Sequence, residues 1–328
     1  MNSQVFSKTK RRKVFFDQDA NPEDLVALMM LLSMENIEII GISITPADCF
    51  MDDAIEATLK ILSLYERDIP VAEGHIHGKN AFPNDFRILT LRVNNLPIML
   101  LQPMKKELLV EEAGHEFMAR KIKESKEPVT VLLTGPCTNL VAALEKDPEI
   151  KNNIEEVVWM AGAIDVPGNV VAFHHDRTAE WNVYWDPKSS KKLLDYGLNI
   201  TMFSLDATNT VPVDKNFLKR IANQRRYNVS ELVGQFYALT YQESPTEEDN
   251  YFMWDTLCTA YLGCDELATF RKIEIDISVK SPSEGRTFKS PGNGKWVNVA
   301  DNINKEKFYK YFLDCLKKNG KTYEEETP

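Results

Sequence analysis

Eight residues near the start of the chain, Asp17-Gln18-Asp19-Ala20-Asn21-Pro22-Glu23-Asp24, hold four carboxylates directly behind the apolar run Val14-Phe15-Phe16. Like charges at that density repel unless protons or a cation intervene, and a set of hard oxygens favours Ca²⁺ or Mg²⁺. Part of the stretch has a purely structural account. Asn21 as N-cap, Pro22 at the first helical position and Asp24 at the third make an ordinary helix start, with acids at the positive end of the dipole. Asp17 and Asp19 are left unexplained by that account. Two residues apart, they point the same way if the strand persists.

The elements that must position these acids alternate along the chain. Residues 14–16, 37–45, 129–134, 157–160 and 199–205 read as buried strands, and residues 22–34, 51–67, 137–146 and 187–196 as helices. Residues 211–243 read as helical without an intervening strand, 242–250 as a polar, acidic loop, 273–279 as a late strand and 305–318 as a closing helix. Continuous apolar strands alternating with helices imply an α/β single domain with a mostly parallel central sheet flanked by helices. In such sheets ligands bind at the carboxyl ends of the strands, where the acidic stretch falls.

Composition excludes several partners. Of 328 residues, 49 are Asp or Glu and 39 Lys or Arg, a net charge of −10. That surplus disfavours nucleic acid and anionic membranes. The five cysteines, Cys49, Cys137, Cys258, Cys264 and Cys315, show no CxxC spacing, which argues against a zinc site and for a reducing, cytoplasmic setting. The longest apolar segment, residues 25–34, is about half a membrane span. Residues 1–12, with Lys8, Lys10, Arg11 and Arg12, read as a solvated basic tail before one catalytic domain over residues 13–328.

A strand ending in DxD also opens haloacid-dehalogenase-type phosphotransferases. That family places Thr or Val where Asn21 stands, and Asp24 is foreign to it. The stretch 17–24 instead resembles the nucleoside hydrolase signature, DxDPGxDD or, in the purine-specific branch, DxDGNxDD. Four further segments match in order: Thr45-Pro46-Ala47-Asp48-Cys49-Phe50; Thr134-Gly135-Pro136-Cys137-Thr138-Asn139-Leu140; Met160-Ala161-Gly162-Ala163 through Gly168-Asn169 to Ala179-Glu180-Trp181-Asn182-Val183-Tyr184-Trp185-Asp186-Pro187; and Trp254-Asp255. The chain is similar to nucleoside hydrolases over about residues 13–318, and most similar to the purine-preferring inosine-adenosine-guanosine branch.

The resemblance implies a nucleoside hydrolase fold with a Rossmann-like core and cleavage of purine ribonucleosides to free base and ribose. It implies one Ca²⁺ held by Asp19, Asp24, the backbone carbonyl of Thr134 and Asp255, with Asp17 supporting from behind. Asp19 would be the general base for a water that the cation activates. Glu23, Asn169, Glu180, Asn182 and Asp255 would bind the ribose hydroxyls. Asp48, Phe86, Trp181 and Trp254 would surround the base, and a homodimer is the expected assembly.

The chain departs from the family pattern at three places. Glu23 stands where an Asp is usual, Ala20 where Pro or Gly is usual, and Phe86 where a Trp is usual. His174 and His175 read as loop residues, and His75 and His77 as surface loop. Two alternatives stay open: a broader hydrolase that also takes pyrimidine nucleosides, and a nucleoside-binding homologue with impaired catalysis.

Overall fold

The computed structural model describes residues 11–241 and 251–318. The expected tail up to residue 10 and the expected acidic loop 242–250 lie outside the described residues. Ten strands form one sheet: β1 Arg12–Gln18, β2 Ile37–Ile44, β3 Val71–Glu73, β4 Leu109–Val110, β5 Val129–Leu133, β6 Ile154–Met160, β7 Ile200–Phe203, β8 Ala268–Ile277, β9 Thr287–Lys289 and β10 Lys295–Ile303. Their order is β4-β3-β2-β1-β5-β6-β7-β10-β8-β9. All pairs from β4 to β10 are parallel, while β8 runs antiparallel to both β10 and β9. The expected α/β architecture with a mostly parallel sheet is therefore present.

Alternation along β1 divides the core. Val14 and Phe16 point to one face, packed with Leu25, Leu59, Phe236, Leu257 and Phe312. Phe15 points to the other, among Phe117, Leu140, Trp159 and Leu193. Helix Pro22–Leu32 is buried along all eleven residues. A helix apolar on every side belongs inside a domain, which explains why its acidic first turn ends in the interior rather than at the surface.

Several elements differ from expectation. The late strand expected over 273–279 is the end of the longer β8, and β9 and β10 extend the sheet beside it. Polar residues alternate through β8 and β10, so neither carries the continuous apolar run of a buried parallel strand. Strands β3 and β4, of three and two residues, are too short to show a period. Helix Gly114–Glu124 was not expected either. Arg12 belongs to β1 and not to a tail: its amide donates to the Asn36 carbonyl at 2.8 Å.

No helix among the described residues is long and apolar enough to cross a membrane. The five cysteines are unpaired and buried.

Candidate functional site

From β1 the chain steps outward through β2, β3 and β4, then returns to the opposite side of β1 with β5, β6 and β7. The order reverses between β1 and β5, and a crevice opens at such a switch point beyond the strands' carboxyl ends. Here Asp19 follows β1, Asp48 follows β2, Thr134 follows β5 and Met160 ends β6, and all four line one cavity of about 690 Å³. Asn21, Glu23, Asp24, Asn169, Glu180, Trp181, Asn182, Trp254 and Asp255 line it as well. Of the residues singled out from sequence, only Asp17 is absent from the lining.

The strand explains that difference. β1 stops at Gln18, and Ala20 takes a left-handed φ of 60°. The chain turns there, so the alternation that would aim Asp17 and Asp19 together ends before Asp19. Asp17 stays behind the wall, accepting from the Ser43 hydroxyl at 2.6 Å and the Asn139 amide at 3.0 Å. Burial pushes its carboxyl up to about 7.

Asp24 completes the expected helix start, accepting from the Asn21 amide at 3.0 Å while Asn21 caps the Glu23 amide. It also accepts from the Thr134 hydroxyl and, at 3.3 Å, from the Asp19 amide. Asp19 accepts from the Asp48 amide at 3.2 Å. Burial first, and then the charge of neighbouring acids, raises Asp19, Asp48 and Asp255 well above the usual carboxylate range; burial raises Asp24 also. These groups crowd one another with little to neutralise them.

That donor set fits a hard cation. The cavity is lined by seven acids and one arginine, and Asp48 Oδ1 is buried without a hydrogen-bond partner. The oxygens come from several segments that meet at the sheet edge, so they can surround a divalent cation from different sides. No group of three or more His, Cys, Asp or Glu side chains among the described residues is already closed around one point. The Asp19 and Asp24 carboxyls lie in hydrogen-bond contact, with Asp19 protonated while no cation is bound, and the other acids face the same cavity without closing a cage.

The remaining polar residues are held firmly. Glu180 caps the helix Trp181–Trp185, accepting from the Asn182 amide at 2.8 Å, and also accepts from the Gly162 amide at 3.0 Å. Burial lifts its carboxyl to about 7. Asn169 accepts from the Trp181 amide at 3.2 Å. Asn182 donates to the carbonyls of Thr134, at 2.8 Å, and Met160, at 3.1 Å. Glu23 lines the cavity, but its carboxylate accepts from Tyr237, Asp255 and Thr256.

Aromatic rings form two groups in the lining. Trp181 stacks on Phe82 with centroids 5.2 Å apart and meets the edge of Phe86 at 5.9 Å. Trp254 meets Tyr251 edge-on at 4.6 Å. Phe82, Tyr251 and the Asn21 side chain were not singled out from sequence as site residues. Asn21 links Tyr251 to Asp48: it accepts from the Tyr251 hydroxyl at 2.9 Å and donates to Asp48 at 2.6 Å. Its capping role had already accounted for it, and Phe82 sits in a loop without a period to mark it. Among the described residues, none that lines the cavity is a histidine. His75 and His77 are exposed, and His175 instead bonds the Glu284 carbonyl at 2.8 Å.

Comparison with known proteins agrees with this geometry. Residues 14–310 match the family described as inosine-uridine preferring nucleoside hydrolase. The crystal structure of an inosine-uridine preferring nucleoside hydrolase from Bacillus anthracis is similar at a TM-score of 0.86 and 34% identity, covering 94% of this chain and 99% of that one. A pyrimidine-specific ribonucleoside hydrolase from Shewanella woodyi is 27% identical over 334 residues, covering 95% of this chain and 99% of the relative. A purine-preferring ribonucleoside hydrolase from Gardnerella vaginalis shares the fold at a TM-score of 0.79 and 24% identity, over 93% of this chain and 98% of that one. The relatives thus carry both purine and pyrimidine names, and the expected assignment to a purine branch does not follow from them. With the acids, the polar side chains and the aromatic groups converging on one switch-point cavity, the chain belongs to the inosine-uridine preferring nucleoside hydrolase family, enzymes that cleave the N-glycosidic bond of nucleosides.

Proposed function

We propose that the chain hydrolyses purine ribonucleosides to free base and ribose, with Ca²⁺ held at the acidic end of the cavity. The observation that carries the purine preference is the lining itself: two aromatic groups, Trp254 with Tyr251 and Trp181 with Phe82 and Phe86, and no histidine. A base that leaves without an imidazole acid beside it must be made a better leaving group in another way. Stacking on electron-rich rings does so, and a purine offers the larger face.

Asp19, Asp24, Asp255 and the Thr134 carbonyl are the groups that hold the cation, braced by Asp17. A bound divalent ion supplies Lewis acidity that lowers the pKa of a neighbouring water. Asp19 takes the proton of the attacking water as general base. The water oxygen bonds to C1′ as the C1′–N bond breaks, the bonding pair leaves with the base, and a proton from solvent neutralises the base as it departs. The surrounding carboxylates stabilise the positive charge that develops on the ribosyl ring. Asn169, Glu180, Asn182 and Asp255 bond the ribose hydroxyls, so a sugar lacking them leaves buried polar groups unpaired. Asp48 faces the base together with the aromatic rings.

A second reading, a broader enzyme that also takes pyrimidine nucleosides, is favoured by the pyrimidine-specific relative from Shewanella woodyi. Base release from adenosine, guanosine, inosine, cytidine and uridine, with and without chelator, separates the two. The purine reading expects at least about tenfold higher kcat/KM for the purines, a difference of about 1.4 kcal/mol. Uridine turnover as fast as inosine turnover would move the assignment to the second reading.

A further inference from the structure

The Glu23 carboxylate receives four donors: the Tyr237 hydroxyl, the Asp255 amide at 2.8 Å, the Thr256 amide at 2.9 Å and the Thr256 hydroxyl at 3.1 Å. An ionised carboxylate offers about four lone-pair sites. Its capacity is filled by the protein, although the residue lines the cavity and is 1% exposed. A ribose hydroxyl would have to displace one of these donors and leave it buried and unpaired.

The donors are not arbitrary. Asp255 and Thr256 lie in the first turn of helix Trp254–Ala260, whose N-cap residue Met253 provides no side-chain cap. Orphan amides at a helix start need an acceptor, and Glu23 supplies it from another element. The same first turn carries Trp254 and Asp255. Glu23 is itself in the first turn of helix Pro22–Leu32, beside Asp24, and Tyr237 belongs to a third helix, Asn228–Tyr241. One side chain thus joins three helices. The Asp usual at this position is one methylene shorter.

We propose that Glu23 is a positioning residue: it sets the place of Asp255 and Trp254 relative to Asp24 by capping the helix Trp254–Ala260, and it makes no bond to the sugar. The kinetic part of this inference rests on the nucleoside hydrolase reading above, whereas the structural part does not.

The test compares wild-type protein with Glu23→Ala, Glu23→Gln and Tyr237→Phe. Hydrogen exchange is followed on the peptide covering residues 254–260, and kcat and KM are measured on a ribonucleoside and on its 2′-deoxy and 3′-deoxy analogues. Glu23→Ala is expected to speed exchange of the Asp255 and Thr256 amides by about tenfold or more. Glu23→Gln, which keeps one acceptor oxygen, should do so less. Because Asp255 itself bonds the ribose, a hydroxyl penalty that changes in Glu23→Ala changes through Asp255, and Tyr237→Phe, which weakens the cap and keeps the Glu23 carboxylate, should shift it in the same direction. Unchanged exchange, or a hydroxyl penalty that changes in the Glu23 variants and not in Tyr237→Phe, would each overturn the proposal. If Glu23→Ala does not fold, the isosteric Glu23→Gln and Tyr237→Phe carry both measurements. A wild-type protein inert toward every nucleoside would refute the proposed function, and the exchange measurement would still decide the role of Glu23.

Discussion

Asn182 donates through its side-chain amide to the backbone carbonyl of Thr134 at 2.8 Å, and its second N–H goes to the Met160 carbonyl at 3.1 Å. Both hydrogens of the amide are therefore spent on the ends of β5 and β6, and the amide oxygen is the group left for a ligand in the cavity. A carbonyl oxygen has two lone pairs, so the Thr134 carbonyl keeps one free while Asn182 holds it in place, as the proposed cation site needs.

Replacing Asn182 by Ala is expected to lower kcat/KM for ribonucleosides by about 100-fold, equivalent to about 2.7 kcal/mol. Two buried carbonyls also lose a partner, and stability should fall by about 1–3 kcal/mol. Steady-state base release and urea unfolding measure the two effects. Turnover close to wild type would remove Asn182 from the ribose contacts.

Asp19→Asn keeps the size of the side chain and removes the proposed general base. We expect base release to fall by at least about 10³-fold, within what a general base contributes, while the metal-free protein becomes more resistant to heat. The second effect follows because Asp19 is buried among Asp24, Asp48 and Asp255, and each charge raises the cost of the others. Near-normal turnover, or an unchanged melting temperature with activity lost, would count against this account of the acidic cluster.

The pH dependence has a definite sign. Burial raises Asp17 and Glu180 each to about 7, against about 4 in an unfolded chain. The folded state then binds more protons than the unfolded one. Each group contributes fully below pH about 4, and the contribution is lost as pH rises through 7, on the order of 3 kcal/mol per group. The urea midpoint of chelated protein should therefore fall between pH 4 and pH 8. In the proposed site Ca²⁺ has to expel protons from Asp19, Asp24 and Asp255 to bind, so it should raise the melting temperature more at pH 8 than at pH 5.5. At a hundredfold excess over Kd the gain is about 2.7 kcal/mol. An equal Ca²⁺ effect at both pH values would mean that these acids do not hold it.

Trp254→Ala should slow purine nucleosides far more than a riboside with an activated leaving group such as p-nitrophenol, which needs no help in departing. A difference of about tenfold between the two losses is the expected reading from parallel kcat/KM measurements. Equal losses would assign Trp254 to packing against Tyr251, 4.6 Å away, and not to the base.

Much of this site is legible in the amino-acid order because it depends on near neighbours. The start of helix Pro22–Leu32 is written in Asn21, Pro22 and Asp24, and the capping box forms as those residues dictate. The buried parallel strands announce themselves as continuous apolar runs, which places Asp17, Asp19 and Thr134 at one sheet edge. The sequence by itself therefore determined the alternating α/β frame, the acidic loop after β1 and the family.

The tertiary structure decided what depends on contacts across long stretches of chain. The end of β1 at Gln18 and the left-handed Ala20 put Asp19 into the cavity and left Asp17 behind its wall. Phe82 joined the aromatic lining only because a loop brings it 5.2 Å from Trp181. The partners of Glu23 lie 214 and 233 residues further along. No local pattern encodes such pairings. They form only when β1, β2 and β5 have paired and the helices pack against them, and the energy of burying a polar group selects the arrangement that satisfies it.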